Sequence, residues 1–480
     1  MNNNAKQHIF CLIMYFNVIF SRYKYLRWHF STFKRLGLQG PQPSIIAGNL
    51  PEIMKKGQLQ AMIDWSKQYG RIFGYYEGWT PVIAVADPQI LRQILVKDFD
   101  NFRSRKPFPL APRKALGLFL ENGHQWKQSR SILTPAFSTG KIKKMFPIID
   151  NMVDHLEENL NVKSAEAKPF DIYSFYQSLT LDVIGRCAFG LQTNAQTDPK
   201  DEFLTNIRFL FSGLSKTCIL YLVMLIPIFQ YFVFALKNLV IIFGMNPVVW
   251  LRNQLREIIR IRKEMGKQRS MTDREIVAQS LTFLLAGYET TSAVLSFLTD
   301  LLSRNKAVHD RLCAEIDGVI GEGHVDYDNV QKLPYFDMVV NEICRMYPTA
   351  SLIVTRQAAE SRSYNGVYIP AGMAVQANVW ALHHDEQLWQ NPEEFIPERF
   401  SPQYKEKIVR YSFLPFGAGP RSCIGERFAL LEIKLTIVRI LKNYRFTRPH
   451  DSEKPLELVS RGAIVPRDGV QIRVERRCLS

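Results

Sequence analysis

The chain has 480 residues, 46% of them hydrophobic, so it holds enough apolar material for one large core, although length alone allows about three average domains. Its formal net charge is +16, but the Lys and Arg residues are scattered through apolar stretches without a recognisable nucleic-acid module, which argues against a nucleic-acid partner. This charge better suits an anionic membrane surface or an acidic protein. Seven cysteines without paired spacing exclude a disulfide framework and indicate a reducing compartment.

An apolar run at residues 9–20, followed by basic residues, is the first feature of the chain. A helix of that length reaches about 18 Å, which is less than the hydrocarbon core of about 30 Å. A signal peptide is the alternative, but the positive charges follow the apolar run and no small-residue cleavage site is evident. We predict an uncleaved anchor over residues 1–39 that leaves the rest in the cytosol. Residues 40–43 form a Pro-rich hinge.

A small β-region and a long loop are predicted next. Strands are expected at 72–76 and 82–85, with a turn at 78–81. Residues 103–124 combine several prolines with apolar side chains, which predicts a loop and not a continuous helix. Long loops inside compact domains are often functional.

Trp126 and Arg130 lie one helical turn apart. Both side chains donate hydrogen bonds and neither accepts one, so together they suit an anionic group. A surface packing pair is the alternative interpretation.

The most hydrophobic stretch is 218–236, which only Pro227 and Gln230 interrupt. It is long enough to cross a membrane. We favour two short helices that enter the bilayer without crossing it, because Pro227 would break a single helix.

A long helix is predicted at 273–303, beginning at the capping-box sequence Thr272 to Glu275. Near its middle, Glu289 and Thr290 introduce an acid and a hydroxyl group into an apolar helix, which is costly unless they are paired or used. Threonine can also bond back to the carbonyl four residues earlier and bend the helix. A solvated helix face is the alternative for both residues.

Another helix is predicted at Pro334–Met346, where Glu342 and Arg345 have a favourable ion-pair spacing. Downstream, Asn365 and Gly366 form a hairpin signal, so we expect a tight turn there. His383 and His384 are adjacent in a segment predicted to be extended, where they would point to opposite faces, so we interpret them as structural and not as metal ligands.

The last motif is the glycine-rich stretch 416–425, which contains Cys423 and is predicted to run directly into a helix. The N-terminus of a helix favours a thiolate over a thiol. Gly417, Gly419 and Gly425 allow unusual dihedrals and a close approach to a flat group, and Arg421 suits a carboxylate. A buried structural cysteine is the alternative.

Four motifs in this order resemble those of the cytochrome P450 family. The pattern F-G-x-G-x-R-x-C-x-G resembles its haem-binding loop, and A-G-x-E-T-T at 286–291 resembles its oxygen-activating helix. W-x-x-x-R resembles its haem-propionate helix, and E-x-x-R with the downstream Pro-Glu-Arg-Phe resembles its Glu-Arg-Arg lock, completed by Arg399. The resemblance covers residues 40 to about 475. The chain departs from the family at 256–271, where other members usually have a longer connection with another helix.

The resemblance implies a fold and a set of roles. The fold is mainly α with smaller β-sheets, with haem between the long central helix and the helix after Cys423, in one catalytic domain at 40–480. Cys423 is expected to ligate the iron of haem b as a thiolate. Thr290 is expected to contact bound dioxygen, and Glu289 to belong to the proton-delivery path. The residues expected to bind the cofactor are Cys423, Trp126, Arg130, Arg356, Arg421, Phe416, Gly417 and Gly425.

The implied function is that of a microsomal mono-oxygenase with broad substrate range. One atom of O2 enters an apolar xenobiotic, steroid or lipid, and electrons come from NADPH through a flavoprotein reductase, with cytochrome b5 as a further candidate partner. The expected location is the endoplasmic reticulum membrane, with the catalytic domain on the cytosolic face. One alternative is a haem-thiolate isomerase or dehydratase that rearranges peroxides without a reductase. Another is a non-enzymatic haem-binding membrane protein.

Overall fold

The computed structural model describes residues 3–108, 117–191, 193–216, 247–264, 271–449 and 455–477. These residues form a mainly helical fold with small β-sheets, which confirms the predicted fold class. The apolar stretch 218–236 lies outside the described residues, as does part of the loop predicted at 103–124.

Helices supply most of the fold. In chain order they are α1 (Asn3–His29), α2 (Thr32–Arg35), α3 (Leu50–Lys56), α4 (Gln58–Tyr69), α5 (Pro88–Arg92), α6 (Gly123–Leu133), α7 (Thr139–Glu166), α8 (Ile172–Phe189), α9 (Glu202–Lys216), α10 (Pro247–Glu264), α11 (Asp273–Arg304), α12 (Lys306–Ile320), α13 (Tyr327–Val330), α14 (Pro334–Met346), α15 (Val379–His383), α16 (Pro402–Lys405) and α17 (Glu426–Asn443). Short 3₁₀ or π-helical turns cover Gln93–Lys97, Thr134–Phe137, Ser351–Ile353, Pro397–Phe400 and Gly419–Arg421.

The strands form small sheets around this helical body. They are β1 (Ile72–Glu77), β2 (Thr80–Val85), β3 (Phe170–Asp171), β4 (Thr355–Gln357), β5 (Arg362–Tyr364), β6 (Val367–Ile369), β7 (Ala374–Ala377), β8 (Tyr444–Thr447), β9 (Leu458–Ser460), β10 (Ile464–Pro466) and β11 (Gln471–Arg476). One sheet has the order β1-β2-β7-β4, with β2 parallel to β7. Another has the order β3-β11-β8, and β5-β6 and β9-β10 are antiparallel pairs.

Helix α11 is the centre of the largest hydrophobic cluster. The Thr272 side chain accepts a hydrogen bond from the Glu275 N–H, and Glu275 bonds back to Thr272, so the predicted capping box is present. Helix α8 packs closely along α11. A Cβ atom at Gly287 would lie only 3.1 Å from Cγ1 of Ile184, so a larger residue there would require the Ile184 side chain to shift.

The N-terminal helix α1 is 27 residues long, so it extends well beyond the apolar run at 9–20 on both sides. It ends against the β1–β2 turn, where the His29 ring lies 2.8 Å from the Trp79 carbonyl oxygen. Among the described helices, α11 alone is long and apolar enough to cross a membrane, and 67% of its most apolar window is buried inside the protein. That degree of burial is typical of a core helix.

Several predicted boundaries were wrong. The turn between β1 and β2 comprises only Gly78 and Trp79, because Thr80 already pairs with Glu77. The long loop ends before Gly123, where α6 begins. In the stretch 256–271, where the chain departs from the family, residues up to Glu264 belong to α10.

Two further predictions concern the hairpin turn after β5 and the segment that contains His383. The hairpin turn at Asn365 and Gly366 is confirmed, with positive φ angles of 47° and 83° at the two residues. His383 lies in a short helix and not in an extended segment. Its structural role is nevertheless supported, because its Nε2 accepts a hydrogen bond from the Leu414 N–H at 2.8 Å.

Candidate active site

Cys423 lies in a tight loop that ends where α17 begins. Its backbone N–H donates to the Phe416 carbonyl oxygen at 2.8 Å, which closes the loop on itself. Gly417 and Gly419 have φ angles of 72° and 73°, as expected for glycines that turn the chain. The helix does not begin at the cysteine, as predicted, but at Glu426, since Gly425 is its N-cap residue.

The glycines of this loop differ in backbone conformation and in the atoms that they approach. At Gly419, a Cβ atom would lie 1.9 Å from the Leu95 carbonyl oxygen, so the close approach there is to the protein's own backbone. Gly425 has an ordinary φ of −94°, and the nearest atom to an added Cβ is 3.7 Å away on the Phe137 ring. The expected need for unusual dihedrals therefore holds for Gly417 and Gly419 but not for Gly425.

Opposing effects act on the Cys423 sulfur. Burial raises the pKa of the thiol, whereas hydrogen bonds from the Gly425 and Glu426 N–H groups and the nearby Arg130 lower it. Burial is the larger effect, so the helix end alone does not produce the predicted thiolate. The side chain is nevertheless accessible to solvent, which places the sulfur in a recess of the protein. Binding a cation would favour the thiolate.

Four arginines gather beside this loop. Arg130 Nη1 donates to the Ser422 carbonyl oxygen at 2.9 Å, one residue before the cysteine, and Arg421 Nη2 donates to the Glu121 carbonyl oxygen at 2.6 Å. Arg356 is buried on β4, and its Nη1 donates to the Thr355 carbonyl oxygen. The fourth is Arg105, which was not predicted.

Arg105 reaches this cluster because its loop pairs with β4. The Gln357 N–H donates to the Ser104 carbonyl oxygen at 2.8 Å in an isolated β-bridge, which brings Arg105 close to Arg356. Arg105 also lies over the Phe119 ring, with its guanidinium carbon 4.4 Å from the ring centroid. A single arginine in a proline-rich loop carries no local signal for this position.

A negatively charged group would stabilise the arginine cluster, whose positive charges are buried and repel one another. Burial, together with repulsion from Arg105 and Arg421, holds the pKa of Arg356 well below its usual range. Burial and repulsion from Arg105 likewise lower the pKa of Arg421 to about 9. Guanidinium groups stay protonated in proteins. Within the described residues, the buried Nε atoms of Arg105, Arg356 and Arg421 have no hydrogen-bond partner.

Trp126 completes the arrangement. It is buried on α6, and the Arg421 guanidinium carbon lies 4.4 Å from its ring centroid. The structure therefore brings Trp126, Arg130, Arg356 and Arg421 together around Cys423. Unused donors beside an accessible cysteine fit a cofactor that combines acidic groups with a thiolate-binding metal. Haem, with two propionates and an iron, satisfies both requirements.

Helix α11 faces the cysteine loop across one cleft. Thr290 lies on one wall and Phe416 on the other, with Cys344 and Tyr347 of the α14 region also lining it. The Thr290 hydroxyl donates to the Ala286 carbonyl oxygen at 2.7 Å, the back-bond expected from the sequence. Its oxygen lone pairs remain available to accept a hydrogen bond.

The Glu289 carboxyl group is buried against α8. Tyr173 donates its hydroxyl to Glu289 Oε1 at 2.7 Å, and Gln177 Nε2 lies 3.5 Å from Oε2. Burial raises the pKa of Glu289 to about 7, opposed by the Tyr173 hydrogen bond and by Arg461 and Arg208. The solvated alternative is therefore wrong for Glu289, whose side chain is only 2% exposed.

The predicted Glu-Arg-Arg lock is confirmed as a buried network. Arg345 donates to Glu342 from Nε at 2.8 Å and from Nη2 at 2.9 Å, and Arg399 Nε donates to Glu342 Oε1 at 3.1 Å. Arg345 Nη1 also donates to the His383 carbonyl oxygen at 2.8 Å. Since His383 in turn bonds to Leu414, the network supports the chain just before the cysteine loop.

Comparison with known proteins agrees with this geometry. The family model of cytochrome P450 matches residues 38–241 and 250–474. Cytochrome P450 3A56 of Fundulus heteroclitus is 34% identical over 474 residues, which covers 94% of this chain and 95% of that protein. Cytochrome P450 3A29 of Sus scrofa is 35% identical over 475 residues, covering 94% of each chain. Cytochrome P450 3A5 of Homo sapiens is 34% identical over 472 residues, covering 93% of this chain and 92% of that protein.

Membership of this family brings a cofactor and a redox partner. The cofactor is haem b, O2 is a co-substrate, and a reductase passes on the electrons of NADPH. The chain belongs to the cytochrome P450 family and is a haem-dependent mono-oxygenase that inserts one atom of O2 into an apolar organic substrate.

Proposed function

We propose that Cys423 would ligate the haem iron and that Thr290 and Glu289 handle protons at the same site, in an enzyme bound to the endoplasmic reticulum membrane. The observation that carries the proposal is the cleft in which Thr290 of α11 faces Phe416 of the cysteine loop. Thr290 and the loop that carries Cys423 line the same cleft, which supports one site for the ligand and the proton-handling groups. When bound, haem supplies the activation of O2 and the transfer of one oxygen atom to the substrate.

Trp126 and the arginines fix the orientation of the cofactor. Arg130, Arg356 and Arg421, joined by Arg105, would donate to its propionates, and their charges would offset the two carboxylates. Phe416, Gly417 and Gly425 would line the cofactor on the side of the cysteine loop. The hydrogen bond from the Cys423 N–H to the Phe416 carbonyl oxygen restrains the backbone that carries the sulfur.

Thr290 and Glu289 act on protons. Cleavage of the O–O bond consumes two protons, which have to enter a site that otherwise excludes water. The Thr290 hydroxyl oxygen accepts a hydrogen bond at the reacting centre while its own proton rests on the Ala286 carbonyl oxygen. Glu289, with a pKa of about 7, both gives and takes protons at neutral pH.

Replacing Thr290 with Ala is expected to preserve the thiolate-type spectrum but to lower the product formed per NADPH consumed about tenfold, with the missing electrons recovered as reduced oxygen. Thr282 provides a matched control, because it makes the same back-bond to Ala278, at 2.9 Å, on the same helix. Parallel assays of NADPH, product and hydrogen peroxide measure the effect. Equal coupling in the Thr290→Ala and wild-type enzymes would contradict the role. Turnover without NADPH would instead favour an isomerase.

The reductase is proposed to dock on an exposed basic face near the start of α7 and α17. This basic face consists of Lys127, Lys141, Lys143, Lys144 and Arg427. Arg427 contacts the Thr139 hydroxyl at 3.2 Å, so the two helix ends are adjacent, and both lie on the cysteine side. Lys143 contributes least, because Asp328 already neutralises it at 2.8 Å. Cytochrome b5 is proposed to use the same face.

The double variant Lys127→Glu and Lys144→Glu reverses two charges of the basic face. It is expected to slow electron transfer from the reductase to the haem about tenfold at low salt. The difference should shrink as salt is raised, because salt screens exposed charges. Lys168→Glu, two residues beyond the far end of α7, is the control, since it reverses a charge away from this face. Stopped-flow reduction measures the rates, and unchanged rates at low salt would rule out this docking face.

The membrane anchor is proposed to be residues 1–39, followed by the catalytic domain at 40–480 on the cytosolic face. Helix α1 exposes Ile13, Met14, Tyr15 and Phe16 and then carries Arg22 and other basic residues, a distribution that suits lipid followed by an anionic surface. Membrane lipid is thus a proposed partner.

A further inference from the structure

The carboxyl group of Glu289 is held by the neighbouring helix α8, and its two oxygens differ. Oε1 accepts the Tyr173 hydroxyl at 2.7 Å, a short bond between buried groups. Oε2 has only the Gln177 amide at 3.5 Å, at the limit of a hydrogen bond. Tyr173 therefore occupies Oε1 whether or not the acid is protonated, and leaves Oε2 as the oxygen that can carry a proton.

The charged and titratable groups around Glu289 come from several elements. Tyr173 lies on α8, Arg208 on α9, Arg461 in the turn after β9, and Tyr288 precedes Glu289 on α11. Both arginines favour the carboxylate, and burial opposes it. Groups from α8, α9, the turn after β9 and α11 thus surround the acid.

We propose that Tyr173 is a positioning residue for proton delivery: it fixes Glu289 so that Oε2 donates the proton and Oε1 does not. The inference rests on the proposed role of Glu289. In the step, the O–H bond at Oε2 breaks, the proton passes toward Thr290, and the carboxylate left behind keeps the Tyr173 hydrogen bond on Oε1. Solvent water then returns a proton to Oε2, so the acid is restored and no electron is exchanged.

The chain contains a matched control for this role. Tyr176 lies on the same helix, is also buried, and shares a hydrogen bond with the Thr299 hydroxyl of α11, the two oxygens being 2.7 Å apart. Tyr173→Phe and Tyr176→Phe therefore each remove one buried hydrogen bond between α8 and α11. Only the first variant removes a partner of Glu289, so a purely structural effect would be similar in both.

The test is an infrared pH titration of the substrate-free ferric holoenzyme, with Glu289→Gln used to identify the carboxylic acid band. Because the Tyr173 hydrogen bond stabilises the carboxylate, Tyr173→Phe is expected to raise the titration midpoint by about one pH unit. Tyr176→Phe should leave the midpoint unchanged. The product formed per NADPH should fall at high pH, and the pH at which it falls should rise by the same amount in Tyr173→Phe only.

The possible outcomes separate the two proposals. An unmoved midpoint in Tyr173→Phe, or an equal shift in Tyr176→Phe, overturns the role of Tyr173 and leaves Glu289 as a proton donor. If the infrared titration midpoint moves but the pH dependence of product per NADPH does not, Glu289 is not on the proton path. That result overturns both the positioning role and the proposed function of Glu289.

Discussion

Replacing Cys423 with Ser is expected to abolish the thiolate-type absorption of the reduced, carbon monoxide-bound protein and to reduce mono-oxygenation below detection. Serine keeps the shape of the side chain but provides a hydroxyl that stays protonated at neutral pH, so it cannot donate a thiolate's electron density to the iron. The loop itself should persist, because its closing hydrogen bond from residue 423 to Phe416 uses only backbone atoms.

Haem content and spectrum have to be measured separately in this variant. The arginines and Trp126 do not depend on the sulfur, so some haem is expected to remain bound while its spectrum changes. Cys313→Ser is the control, because Cys313 is a buried cysteine on α12 that takes no part in the site. A thiolate-type spectrum in Cys423→Ser would disprove Cys423 as the ligand.

Replacing Glu342 with Ala is expected to lower the free energy of unfolding by about 3–5 kcal/mol, or to prevent folding. The change leaves Arg345, whose side chain is 0% exposed, as a buried cation without its carboxylate. It also removes the acceptor of Arg399 Nε and of the Ile396 N–H, which lies 3.0 Å from Glu342 Oε1. The loss is large because the Glu342 and Arg345 side chains are both fully buried.

Glu398→Ala is the matched control for this experiment. Its ion pair with Arg311 is as short, at 2.7 Å, but both side chains are about half exposed, so its removal is expected to cost no more than about 1 kcal/mol. Denaturant unfolding followed by circular dichroism gives both values. Similar decreases in the free energy of unfolding in the two variants would show that burial does not determine how much the Glu342 network contributes to stability.

The sequence was sufficient to locate most of the proposed site. Cys423, Trp126 and Arg130 were each identifiable from local spacing together with the family resemblance, and the start of the long helix followed from its capping box. These features depend on residues within one or two helical turns of each other. Such patterns can be read without knowing how distant segments meet.

Features that depend on distant segments could not be read in the same way. Arg105 joins the arginine cluster because Ser104 bridges to Gln357, more than two hundred residues away. The orientation of the Glu289 carboxyl group is set by Tyr173 on another helix. The start of α17 was misplaced for a local reason: the backbone of Cys423 is bonded to Phe416, so residues 423–425 are not helical although Ile424 continues the apolar pattern.

The gathering of Arg105, Arg130, Arg356 and Arg421 also has a thermodynamic meaning for folding. Like charges that are brought together and desolvated oppose the folded state, and propionates bound as proposed would relieve that opposition. Haem would then stabilise the folded chain by mass action, since it would bind the assembled cluster and not the separated arginines of an unfolded chain. The proposed site thus makes cofactor supply a determinant of how much of this protein stays folded, as well as of how much is active.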